Sequence, residues 1–133
     1  CFLEVVTYPK DHNPDCSTLA VSLKVQRDGF ESWKIHLMNF VDEFRKTKDM
    51  RLLLLPPDTS CPEKLRALIA ATVIHLCGEI EVRSPMWSLE SKPLQRPWFV
   101  AGVESLKASA LVESPMAYRS KNIFVLENFL ARA

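Results

Sequence analysis

Ser60-Cys61-Pro62-Glu63-Lys64-Leu65-Arg66-Ala67-Leu68-Ile69-Ala70-Ala71-Thr72-Val73-Ile74-His75-Leu76-Cys77-Gly78 is the stretch that decides the fold. From Ala67 to Cys77 no residue carries a formal charge when His75 is neutral. Leu65, Leu68, Ile69, Val73, Leu76 and Ile80 recur at helical spacing, and Ala70, Ala71, Ile74 and Cys77 make the remaining faces almost as apolar. A helix that is apolar nearly all round has to be surrounded by protein, so this segment reads as a buried central helix. Its ends carry punctuation. Ser60 as N-cap and Glu63 three residues on match a capping box, Pro62 suits the first turn, and Gly78 suits the left-handed position after a helix.

Outward from this element the pattern stays helical. Asp28-Gly29-Phe30-Glu31 reads as a second capped start, with Phe30, Trp33, Leu37, Phe40, Val41 and Phe44 on one face and Lys34, Asp42, Glu43, Arg45 and Lys46 on the other. The stripe predicts packing against the central helix. Ser17 to Gln26 fits helix and strand templates and is read as helix. Phe2 to Tyr8 reads as a short extended segment and Tyr8 to Asp15 as a loop. Leu52 to Leu55, stopped by Pro56-Pro57, reads as a short buried strand or a collapsed extended linker. Glu79 to Arg83 reads as a short strand or a helix tail. Glu104 to Glu113 reads as helix, Ser114-Pro115 as the start of a new turn, and Asn122 as the cap of a last helix over Ile123 to Ala131. Residues 84–103 hold Pro85, Pro93 and Pro97 with Trp87, Leu89, Trp98, Phe99 and Val100 between them, which predicts an extended segment pinned across the helices by its aromatic side chains. The fold expected is mainly α, a compact bundle of about five helices around the buried helix 60–78, with one or two short extended segments, residues 1–133 forming a single helical domain.

Composition excludes more than it assigns. The 133 residues are 47% hydrophobic and 25% charged, as in ordinary soluble domains. Three glycines against nine prolines argue against an all-β fold built on tight hairpins. The net charge is +1; residues 92–133 carry six Lys/Arg against three Glu, a field too weak to predict nucleic-acid binding by itself. No run is long enough for a bilayer span and no signal-peptide pattern is visible, so no membrane partner is expected. The cysteines, at 1, 16, 61 and 77, contain no Cys-x-x-Cys pair, which fits a reduced, cytoplasmic protein; counting alone leaves two disulfides open.

Catalytic signatures are missing. There is no nucleophile elbow, P-loop, Gly-rich dinucleotide loop or His-Glu-x-x-His motif. Arg27 and His36, like Arg66 and His75, are too far apart for the arginine-then-histidine spacing of small helical ribonucleases. His75 and Cys77, two apart on a helix, point to different faces and make a poor metal pair, and His12 with Cys16 finds no further ligands nearby. No catalytic residue, metal or cofactor is therefore expected. An enzyme built on His75 or His36 would need a carboxylate that the sequence does not reveal.

Two groups of residues remain as candidate interaction surfaces. Trp87, Trp98, Phe99, Tyr118 and Arg119 mix aromatics with a cation in and after the proline-rich segment, the composition of a protein-docking surface. The alternative is weak nucleic-acid binding through Arg96, Lys107, Arg119 and Lys121, with aromatics able to stack bases.

Pro97-Trp98-Phe99-Val100-Ala101-Gly102, Leu106-Lys107-Ala108, Glu113-Ser114-Pro115, and Arg119 with Asn122-Ile123-Phe124-Val125 resemble the C-terminal part of small bacterial helical proteins encoded beside nucleotidyltransferase-like genes in toxin–antitoxin or defence-like loci. The resemblance covers about the last forty residues. It implies a cytoplasmic bacterial protein with a protein partner, and carries over no active site.

Overall fold

A computed structural model describes residues 17–58, 60–100, 110–111, 113–126 and 129. The expectations for Phe2 to Asp15 and for most of Glu104 to Glu113, and part of that for Ile123 to Ala131, lie outside the described residues. Helix dominates, as expected, with five α-helices and one small two-stranded sheet among the described residues.

Helix α1 spans Thr18–Asp28 and is capped by Ser17, whose hydroxyl oxygen accepts from the Ala20 N–H at 3.1 Å. It ends at Gly29, whose φ of +100° only glycine adopts without strain. A 3₁₀ turn, Phe30–Ser32, leads into α2, Trp33–Thr47. Asp28 is thus the last residue of α1 and not the cap of α2: its carboxylate is taken by Arg27 at 2.8 Å and by His36 at 2.9 Å, bonds to charged or chargeable donors that outweigh a neutral backbone cap. The stripe of α2 is otherwise as read. Leu37, Phe40, Val41 and Phe44 are buried, while Phe30, standing on the 3₁₀ turn, is exposed.

The four leucines do not form a strand or an extended linker. Asp49 caps a 3₁₀ turn over Met50–Leu53, its carboxylate accepting from the Arg51 N–H at 2.9 Å, and the turn buries Leu52 and Leu53 while leaving Leu54 and Leu55 exposed. The turn satisfies its backbone locally, Leu52 N–H to Asp49 O at 3.1 Å and Leu54 N–H to Arg51 O at 3.4 Å. No neighbouring strand is then needed.

Helix α3, Glu63–Glu79, is the centre of the bundle. It packs against α1, α2, α4 and the helix at Met116, and Leu65, Leu68, Ile69, Val73, Leu76 and Cys77 along it are sealed from solvent. Both ends differ from expectation. Pro62 occupies the N-cap, and the Ser60 hydroxyl donates to Asp58 instead of capping α3. At the other end Gly78 stays inside the helix, and Glu81 takes the left-handed turn at φ 57°. Its N–H reaches Gly78 O at 3.3 Å while the Val82 N–H reaches Cys77 O at 3.0 Å, the two bonds of a Schellman end. Arg45 grips the Glu79 carboxylate at 2.7 and 3.2 Å, which holds the last turn in helical form past the glycine. A non-glycine residue in this conformation carries steric strain at Cβ. Glu81→Gly is expected to raise stability by about 0.5–1 kcal/mol, read as a higher denaturation midpoint in urea; a lower midpoint would contradict this account of the helix end.

Pro85 precedes the short helix α4, Met86–Glu90. Strand β1, Trp98–Phe99, pairs in parallel with β2, Ile123–Phe124, in the register Trp98 with Ile123 and Phe99 with Phe124. The expected helix start at Asn122 is therefore corrected. Asn122 sits at φ 64° and its side-chain amide donates to Leu94 O at 2.9 Å, and the β-branched and aromatic Ile123-Phe124 continue as strand. Between the strands lies α5, Met116–Arg119, with Pro115 and not Ser114 at its N-cap. Ser114 is buried instead, its oxygen accepting from the Val125 N–H at 2.8 Å and its hydroxyl turned to the Ala110 and Val125 carbonyls. That bond ties the entry of α5 to β2.

Candidate functional site

Over its described residues, 84–100, the aromatic segment is not the extended stretch expected, since it holds the helix α4 and the strand β1, and Trp87 and Trp98 each have a distinct anchor. Trp87 on α4 is half-buried and donates its indole N–H to Leu53 O at 2.8 Å, fastening α4 to the 3₁₀ turn. Trp98 on β1 meets Trp33 edge-on at 5.9 Å and Phe30 at 6.4 Å, and the Lys64 ammonium stands 5.4 Å from its ring centroid. Phe99 stacks on Phe124 across the two strands at 5.2 Å. These contacts make the three residues anchors first, each leaving part of its surface open.

The residues after the segment are placed differently from their sequence reading. Tyr118 is 1% exposed, its hydroxyl 2.8 Å from Thr72 Oγ1, and burial raises the phenol far above its usual range. It supports the core and offers a partner no surface. Arg119 is exposed, but its guanidinium donates to Ser114 O at 2.9 Å and Leu111 O at 2.8 Å, closing the loop before α5. Lys121, read as a nucleic-acid contact, is buried and donates to Ser91 O. The turn that places it there is fixed by non-local bonds, Leu94 N–H to Lys121 O at 3.0 Å among them. Arg96 is exposed, and Lys107 lies outside the described residues.

Burial and pairing also settle the histidines and thiols. His36 is half-buried against Asp28, whose carboxyl Arg27 and then His36 hold well below the ordinary carboxylate range. His75 lies on the flank of α3, 3.4 Å from Glu79 and tilted over Tyr118 at 5.8 Å. Both histidines thus have carboxylate partners the sequence did not show, and both carboxylates are already held by arginines on the surface. Cys61 and Cys77 are buried free thiols whose pKa values burial raises. Among the described residues no cluster of His, Cys, Asp and Glu has the makings of a metal site, and no helix is long and apolar enough to cross a membrane.

Two features around α4 were missed by the sequence reading. Met86 and Leu89, one turn apart, are 66% and 53% exposed, and Leu54 and Leu55, just after the turn to which Trp87 is hydrogen-bonded, are 64% and 58% exposed. The second is a groove of about 450 Å³ whose apolar lining is Pro56, Pro57, Ala67, Trp87, Pro93 and Leu94. Its residues come from three separated stretches of chain, so no local motif could have announced it. The exposed leucines do have a local signal: a run of four leucines is longer than a single 3₁₀ turn can bury.

No known protein family, curated protein or solved structure matches the chain.

Proposed function

We propose that this chain is a non-enzymatic protein-interaction module, a regulatory or antitoxin-like subunit of a cytoplasmic bacterial system, that docks a partner protein through the aromatic and proline-rich segment from residue 85. The carrying observation is the exposure of Met86 and Leu89 on α4 and of Leu54 and Leu55 just after the 3₁₀ turn, two stretches joined by the Trp87–Leu53 hydrogen bond. Large apolar side chains held outward on a fixed backbone are what an interface core requires, because little ordering entropy remains to oppose binding. Trp98 and Phe99 extend the same segment, and the resemblance of residues 97–125 to partnered bacterial proteins fits this reading.

The nucleic-acid alternative is left with less. Of its four cations, Lys121 is buried and the Arg119 guanidinium holds two carbonyls of its own fold. Phosphate contacts require cations at the surface; of the three described cations that leaves Arg96, and Lys107 lies outside the described residues.

A photo-crosslinking residue at position 86 should capture one protein in the source cells, and the same probe at Lys34, exposed on α2, should not. With that protein purified, Met86→Asp combined with Leu89→Asp is expected to weaken binding by roughly 1.4 kcal/mol or more, tenfold, without lowering the thermal midpoint. Equal capture at both positions, or unchanged affinity, sinks the proposal.

A further inference from the structure

Three aromatic rings from three separate elements meet beside a cation that has no counter-charge. Phe30 on the 3₁₀ turn and Trp33 at the start of α2 lie 6.4 and 5.9 Å from the Trp98 ring of β1. Phe30 is 38% exposed, and both tryptophans are only partly covered. The Lys64 ammonium, exposed on α3, stands 5.4 Å from the Trp98 centroid. Among the described residues no carboxylate pairs with it, neither Glu31 next to Phe30 nor Glu63 next to Lys64 itself. Lys64 also lies in the first turn of α3, where the positive end of the helix dipole opposes a cation.

The indole groups repeat the pattern. Trp87 has its N–H on Leu53 O, but among the described residues no acceptor takes the N–H of Trp33 or of Trp98. An indole N–H ordinarily finds an acceptor once its ring is covered. An ammonium held over a ring face keeps donors to spare. The cluster therefore presents ring surface, two N–H donors and a positive charge, with no acceptor bonded to any of them. Its complement is a ligand that brings a negative charge and acceptors together with an apolar side chain. A nucleic-acid strand would bring the charge, but it is held by several cations tracking its phosphates, and here one cation stands on the rings.

We propose that this cluster binds an acidic peptide segment, with a carboxylate on Lys64 and a neighbouring large apolar side chain against Phe30, Trp33 and Trp98. The proposal rests on the docking reading in taking a protein segment as the occupant, and it names the chemistry which that segment brings to Trp98. Its tests involve neither Met86 nor Leu89, so the two readings fail separately.

The full chain labelled with 5-fluorotryptophan gives one ¹⁹F signal for each of Trp33, Trp87 and Trp98, a readout that needs no variant to fold. The probes are a capped pentapeptide alternating aspartate with phenylalanine and leucine, the same peptide with asparagine for aspartate, and oligothymidylate. The acidic peptide is expected to move the Trp33 and Trp98 signals and leave Trp87 in place. It should bind at least about threefold tighter than the asparagine peptide, the scale of an exposed ion pair. Lys64→Met, at an exposed position, should retain binding of the asparagine peptide and remove the preference for the acidic one. Equal binding of the two peptides, a preference that survives Lys64→Met, movement of Trp87 in place of Trp33 and Trp98, or saturation by oligothymidylate overturns the proposal. So does a lack of saturation by the acidic peptide at ~10 mM, where an affinity of about 1 mM would already show. Absent capture at position 86 with these shifts intact counts against the docking face alone.

Discussion

Leu68→Ala is expected to lower the unfolding free energy by about 2–5 kcal/mol. Leu68 is fully buried on α3, and α3 is enclosed by α1, α2, α4 and α5. A cavity opened there has helices on every side and little freedom to collapse, which places the cost in the upper half of that range. For a chain of 133 residues, each kcal/mol corresponds to roughly 3–4 °C in the midpoint, so calorimetry should show a fall of about 10 °C or more. Leu89→Ala is the matched control, since Leu89 is 53% exposed; its midpoint should move by no more than about 2 °C. If the two variants melt together, α3 is not the centre of the core.

That centre was legible because it depends on composition within one segment. A run that is apolar on all faces can only be interior, whatever surrounds it. The α2 stripe was legible for a similar reason: the positions of Leu37, Phe40, Val41 and Phe44 fix the face, and the face fixes the neighbour. Boundaries were less readable, because side-chain competition decides them. Asp28 was claimed by Arg27 and His36, Ser60 turned to Asp58, and the grip of Arg45 on Glu79 carried α3 beyond Gly78. Arg45 reaches Glu79 from another helix, while Arg27 and Asp58 are local partners that compete with the backbone for the same side chain, and local spacing favours neither outcome.

The C-terminal segment and the candidate sites were the least legible. Ile123-Phe124 follows a residue that can cap a helix, and only the presence of Trp98-Phe99 alongside makes it a strand. Lys121 lies in the polar run Arg119-Ser120-Lys121-Asn122, whose local pattern says nothing of burial. Pairing of Leu94 with Lys121 and of Asn122 with Leu94 draws it inward, across a sequence separation that no periodicity spans. The aromatic segment was found from its composition, but its division into anchors on one side and exposed Met86 and Leu89 on the other required the backbone path of α4.

Tyr118 is where the sequence reading and the structure make opposite predictions. A partner contact, lost on substitution, would weaken docking and leave stability unchanged. The structure places Tyr118 against Phe129, edge to face at 5.7 Å, and beneath His75, with its hydroxyl on Thr72. The Thr72 hydroxyl donates its only proton to Leu68 O at 2.9 Å, so the phenol must be the donor to Thr72 and must stay protonated. Burial, which raises its pKa, favours that same state. Tyr118→Ala is therefore expected to lose about 3–5 kcal/mol, as for other buried aromatics. Tyr118→Phe should lose only about 1 kcal/mol, because the Thr72 oxygen gives up one donor while its own bond to Leu68 survives. Urea unfolding of the two variants separates ring from hydroxyl. A Tyr118→Ala protein as stable as the wild type would return this residue to the surface and remove α5 from the core, whereas the expected order assigns the tyrosine to the same packing that makes α3 central.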